Sequence, residues 1–499
     1  MTVCKKIFAV SLACALLAAN VYAQDDWGSD ESSVEETSEP TFWDRFKISG
    51  DANLAGRSYF NSNSVYTTEV TAIPRFKLGF DYEGNATKFS SKIRLDEQTL
   101  MYDNEMILDE FSADLFVGNW VLSAGKMKVV WGKGDKLHVL DNFNSNNYYD
   151  FLIPDYLDRR NSEYMFRAQY NSPLGFRIEG IYTPIMQPET YAQKGRWVPK
   201  KVSDLTENVT AFLANQNSSY SFTGLTKALA AKDNLYPDTH KLDYGQFGGY
   251  FNFTLGLFDF GVSYYNGRYK QVSADVSGLI YAGIAKQYPT FAPYVASFIK
   301  MPTLEYDKVQ SFGLDMQTAL GPFTIRAEGV YNMTKDFDGS DPWIHNNSIG
   351  YLFGFDVSLP IHNVTLNVQG TGNMILKKGE IGDYKLPATL AAASGMKSVP
   401  NTKQYDVDYD PTSCYTNHKV VVQLQDTFYY EKITATVKAI YGIERYDLLV
   451  MPELSFKVRD GWKISASGLY IHNFNKDENS EFYGWLDNSF VQLAVNYTF

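Results

Sequence analysis

Cysteine is nearly missing from this chain: of three in 499 residues, Cys4 and Cys14 fall within the first fourteen positions and only Cys414 lies beyond. No disulfide framework and no cysteine-rich metal site is open to the body of the protein. Long apolar runs are missing too. After residue 23 nothing approaches the roughly 18 or more apolar residues that a membrane-crossing helix needs, and mean hydropathy is −0.28. There is no basic surplus, since 45 Lys and Arg against 57 Asp and Glu give a net charge of −12, which argues against nucleic acid as a partner. Histidine is sparse: His138, His240, His345, His362, His418 and His472 have no nucleophile or carboxylate motif beside them. No phosphate-cradling glycine loop occurs, and Gly132, Gly134, Asp135, Asp141 and Asp155 lack the spacing of a calcium loop. Enzyme chemistry finds no candidate residues, and neither cofactor nor metal is expected.

What the chain has in quantity is aromatic side chains, 36 Tyr and 33 Phe, and strict alternation. In the last eleven residues Val491, Leu493, Val495, Tyr497 and Phe499 alternate with Gln492, Ala494, Asn496 and Thr498. That is period two over about the ~9–11 residues of one tilted membrane-crossing strand. The stretch resembles the closing strand of bacterial outer-membrane β-barrels. The resemblance implies that the terminal Phe499 is part of the signal read by the barrel-insertion machinery. Residues 1–23 read as a signal peptide, with Lys5 and Lys6, an apolar run from Ile7 to Ala19 and a small-residue site at Ala23. Residues 24–42 read as an acidic linker without a folded core, and 43–499 as the barrel.

Alternating segments recur from residue 46 onward in pairs. They are joined by tight turns such as Glu83-Gly84-Asn85, Leu255-Gly256-Leu257, Leu320-Gly321-Pro322 and Arg459-Asp460-Gly461. Between the pairs lie longer, variable segments. The count is eighteen strands, among them 46–60, 69–82, 87–99, 106–118, 121–132 (through Met127, Val129 and Trp131), 163–171, 175–184 and 433–443. The fold expected is an all-β transmembrane antiparallel barrel of about 18 strands, with short periplasmic turns and long extracellular loops. Pro74, Pro184 and Pro452 sit at or inside strands, where they fit only ends or bulges. Tyr59, Phe60, Tyr82, Tyr170, Tyr182, Tyr331 and Tyr470 are placed as interface girdles.

The parity opposite the apolar face decides function. In the first seven strands it carries Arg57, Arg75, Lys77, Lys88, Lys92, Arg94, Lys126, Lys128, Arg167 and Arg177, the candidate pore-lining residues. With them go Asp51, Asp81, Asp96, Glu110, Asp114 and Glu179. Two readings stand: an anion-favouring path, and cross-strand pairs that hold the wall. The stretch Val130-Trp131-Gly-Lys-Gly-Asp-Lys-Leu-His-Val-Leu-Asp141 with Tyr149–Tyr156 resembles a region of the large porin-like barrels grouped with alginate exporters. The likeness is local and lacks the Asn-Pro expected in the loop. It implies a strand ending in Trp-Gly that opens a loop packed near the pore. Three insertions are unusually apolar: 204–231 with helical periodicity, 273–300, and 385–396. They are read as a cap, a plug, or an intake for lipophiles. The function expected is a porin for small hydrophilic, anion-leaning solutes in outer-membrane lipid. A channel for hydrophobic compounds and a surface adhesin are the alternatives, and monomer and trimer both stay open.

Overall fold

Alternation of this kind lets one face of each strand meet lipid and the other the interior, and a sheet built from it must close to satisfy its edges. A computed structural model describes residues 41–61, 64–135, 137–150, 157–192, 195–199, 236–300, 302–381, 384–399 and 402–499. It contains one closed sheet of eighteen antiparallel strands. In chain order these are β1 (Phe46–Asn61), β2 (Ser64–Glu83), β3 (Thr87–Asp96), β4 (Leu108–Val117), β5 (Trp120–Met127) and β6 (Glu163–Asn171). Next come β7 (Phe176–Thr183), β8 (Gln246–Leu255), β9 (Phe258–Arg268), β10 (Lys308–Leu320), β11 (Phe323–Met333) and β12 (Ser348–Ser358). The last six are β13 (Thr365–Ile375), β14 (Thr416–Phe428), β15 (Ile433–Gly442), β16 (Asp447–Arg459), β17 (Trp462–Asn473) and β18 (Phe490–Thr498). Each pairs with the next, and β18 returns to β1 with Leu54 opposite Val495 and Arg57 opposite Gln492.

The two ends of the barrel differ. At the end holding the first residues of β1 and the last of β18, connections run only from two residues (256–257) to six (359–364). The opposite end carries 128–162, 184–245, 269–307 and 376–415. Two connections there are nevertheless tight, 62–63 and 443–446. β2 therefore starts at Ser64, earlier than residue 69 where alternation first becomes clear. β3 ends at Asp96, short of residue 99, because Asp96 caps a helical turn, Glu97–Met101, by accepting the Thr99 N–H at 2.9 Å. Pro452 does lie inside β16, and the ladder to β17 skips Met451 and Pro452, as a residue without an N–H requires.

The outward parity is apolar: Leu54 is 60 % exposed, Leu314 63 %, Phe353 54 % and Leu493 67 %. Their neighbours along each strand face inward. Tyr59 departs from the girdle expected of it. It is buried in the lumen, its ring 5.7 Å from that of Phe490, and forms no part of an outer girdle. The side chain of Phe60, the insertion 204–231, the signal peptide and nearly all of the acidic linker lie outside the described residues.

Candidate functional site

The segment after β5 turns into the barrel. Sequence parity put Met127, Val129 and Trp131 on the lipid face, and the structure places all three inside. They form an apolar cluster with Leu140, Phe143, Met165, Ile181, Tyr250, Tyr265, Val309 and Val330. Trp131 is only 1 % exposed. Its ring stacks 5.6 Å from Tyr250 and meets Phe143 edge-on at 5.0 Å, while Nε1 donates to Glu179 at 2.8 Å. Asn144 closes the turn by accepting the Val129 N–H (2.8 Å) and donating to the carbonyls of Met127 (3.1 Å) and Asn161 (2.9 Å).

From there the segment reaches opposite walls. On one side the Glu328 carboxylate, in the middle of β11, accepts the N–H of Gly134 (2.6 Å) and of Val139 (2.8 Å) and contacts His138 Nδ1 at 3.0 Å. Its side chain is fully buried. Gly132, at φ +106°, leaves that carboxylate room, since a Cβ there would collide with it. Beside it Asn367 of β13 donates to Asp135 at 3.2 Å. On the other side Asp150 binds Arg57 (3.3 Å) and Arg75 (2.5 Å), and Asp158 binds Lys77 at 2.5 Å. β2 and β11 are nine strands apart in a ring of eighteen, so they face each other across the lumen. The described residues of 128–162 form a crossbar.

The ten candidate cations separate accordingly. Arg57, Arg75 and Lys77 hold the crossbar. Lys128 binds Asp109 (3.0 Å) at its root. Lys88 pairs with Glu83 (3.1 Å), Lys92 with Glu110 (3.2 Å), and Arg94 lies 3.1 Å from Asp96. Arg167 pairs with Glu179 at 2.7 Å. Arg177 lies over the Tyr250 ring, 5.7 Å from its centre, with no carboxylate partner among the described residues. Lys126 departs from the expected face. In the register it opposes Phe111 and Tyr164, on the outward parity shared with Leu122 and Phe166, and its ammonium turns back to the carbonyls of Glu105 (3.1 Å) and Leu108 (2.7 Å). The reason is the one that reverses Trp131: β5 takes the parity that feeds the crossbar's apolar residues inward.

Two further loop packings flank the crossbar. Trp197, Phe482 and Trp485 pack on Tyr59, Leu449, Leu469, Ile471 and Phe490, with Trp197 Nε1 donating to Tyr59 Oη at 3.2 Å. The apolar insertions at 273–300 and 385–396 pack on each other, through helices α1 (Ser277–Gln287) and α2 (Ala388–Ser394), around Tyr281, Val295 and Leu390. Tyr281, Val295 and Leu390 are buried in this packing, while Tyr294 stays exposed. At the loop end, His345 Nδ1 lies 2.9 Å from Asp408 Oδ1, and Asp307 accepts the His345 N–H at 3.0 Å. Burial works against the His345 imidazolium, but Asp408 and Asp307 outweigh it and raise its pKa. Burial, then the neighbouring Asp408 charge, pushes Asp406 up to about 7.

Neither spacing nor composition singled out Glu328, Asp150 or Asn144. Their partners are 15 to 194 residues away, beyond any local pattern. No protein-family model and no curated protein matches the chain. Solved structures similar in outline include OccAB4 of Acinetobacter baumannii, with 11 % identity, TM-score 0.43, and coverage of 91 % of this chain and 97 % of that one. Another is the outer membrane protein opdK of Pseudomonas aeruginosa, with 10 % identity, TM-score 0.43, and coverage of 91 % and 99 %. A third is Wzi of Escherichia coli, with 11 % identity, TM-score 0.42, and coverage of 91 % and 84 %. Scores at this level carry no functional inference. Closure of the eighteen-stranded sheet and its outward apolar belt make the chain a membrane-spanning antiparallel β-barrel.

Proposed function

We propose that the protein is an outer-membrane channel for passive diffusion of small hydrophilic solutes, narrowed by the crossbar 128–162. The observation that carries this reading is an inner wall of charged and amide side chains held in a ring wide enough to surround one folded-in segment. Such a wall is stable only where water or a paired partner meets it. Arg57, Arg75, Lys77, Lys88, Lys92, Arg94, Lys128, Arg167 and Arg177 line it. Most are paired, so the preference for anions is modest and rests on the cations that stay partly accessible, Lys92 (54 %), Lys88 (38 %), Lys77 (31 %), Arg167 (28 %) and Arg75 (23 %). The long loops then face outside and the tight turns the periplasm. Outer-membrane lipid surrounds the apolar belt, and the insertion machinery reads β18 with Phe499, whose N–H and C=O both bond to Gly50 (3.0 and 2.9 Å).

The test is single-channel recording of the refolded chain in a planar bilayer, with reversal potential read in a salt gradient. Stable steps with a small anion preference that falls in Arg75→Gln and Lys92→Gln support the channel. Silence from a correctly folded barrel sinks it.

A further inference from the structure

On the loop side of the crossbar lies a recess of about 420 Å³, inside the range of roughly 300–1,000 Å³ common to small-molecule sites. One wall is the inward face of β11–β14, and the opposite wall is Val139 of the crossbar. Gly350 keeps it open, because a Cβ there would press on Val330. Every charged group lining it is paired: His345 with Asp408 at 2.9 Å, and Lys419 with Glu481 at 2.5 Å.

Two neutral side chains of the lining are left without a partner among the described residues. Asn373 and Asn417 stand directly opposite each other on β13 and β14. Neither side chain makes a hydrogen bond among the described residues, and both line the recess. An amide offers donors and acceptors together, which is what a hydroxyl, itself both donor and acceptor, can use fully. Val139, Val330 and Ile375 supply apolar surface in the same recess. Unpaired amides beside a small apolar patch suit a molecule with hydroxyl edges and C–H faces. A free anion would find no unpaired cation here, and a lipid tail would strand the two amides.

We propose that this recess is a binding site for a neutral polyhydroxylated solute of mono- to disaccharide size, held by Asn373 and Asn417. This deepens the channel reading by naming a solute class. The wall of β1–β3 acts on small ions, whereas the recess selects among larger neutral solutes.

The test is a saturation-transfer NMR titration of sucrose, with gluconate as the charged comparison, against the detergent-solubilised full chain. The same chain is recorded in bilayers with sucrose added on each side. Saturable sucrose binding that weakens at least tenfold in Asn373→Leu and in Asn417→Ser, with salt conductance unchanged, supports the site. Absence of sucrose binding to the folded wild-type chain, tighter binding of gluconate, or undiminished binding in both variants overturns it. Sucrose binding to a barrel that conducts nothing supports the recess and sinks the channel, so the two proposals fail separately.

Discussion

Glu328 shows how much one side chain organises here. A single buried carboxylate on β11 satisfies two backbone N–H groups and a histidine from a segment 190 residues away in sequence. Glu328→Gln replaces one accepting oxygen with a donor that faces other donors. The cost expected is about 1–3 kcal/mol, local to the crossbar. It should be read as faster amide hydrogen exchange at 134–139, with the melting temperature of the barrel little changed. His345 and Asp406 make a pH prediction. Both have folded pKa values raised above their ordinary ones. Each therefore contributes stability that is full below its unfolded pKa and is lost as pH rises through its folded pKa. For Asp406 the loss runs from about 4 to about 7. Exchange rates of 341–347 and 402–409, corrected for intrinsic chemistry, should rise between pH 5 and pH 8. Asp406→Asn should flatten the part of that rise below pH 7, and an unchanged profile in this variant would refute the assignment.

At the scale of elements, strand existence was legible almost throughout. The segments 163–171 and 433–443 correspond to β6 and β15 within one residue, because lipid and lumen impose opposite chemistry on alternate positions. The failure at β5 has a physical cause. Period two separates two faces but does not say which is inside once an infolded loop supplies an apolar interior. Met127, Val129 and Trp131 thus looked lipid-facing and Lys126 pore-facing, and both assignments reverse. The Trp-Gly stretch marked the start of the crossbar and its continuation held Asp150, yet the partners Arg57 and Arg75, and Glu328 on the far wall, are set by tertiary contact alone. Trp131→Ala should cost about 3–5 kcal/mol of crossbar packing and leave Glu179 short of a donor. In bilayers the expected outcome is larger, noisier conductance steps than wild type, and identical steps would show that the crossbar does not limit flow.

For the whole molecule, closure of the eighteen-stranded sheet answers one demand, that no strand edge be left open in lipid. The belt that meets this demand is testable at Leu314, 63 % exposed on β10. Leu314→Arg should lower stability in vesicles by about 2–4 kcal/mol if the residue sits at mid-bilayer, measured by denaturant titration against Leu314→Ala. Closure itself has a consequence in time. The seam is knitted between β18 and β1, where Arg57 donates to Gln492 across 435 residues of chain, so one half of this joint is made well before the other. Until β18 arrives, β1 offers a bare edge to any neighbouring chain, and the same edge to aggregation. A chain cut short before β18 therefore keeps an unpaired edge on β1 and is adhesive rather than merely shorter.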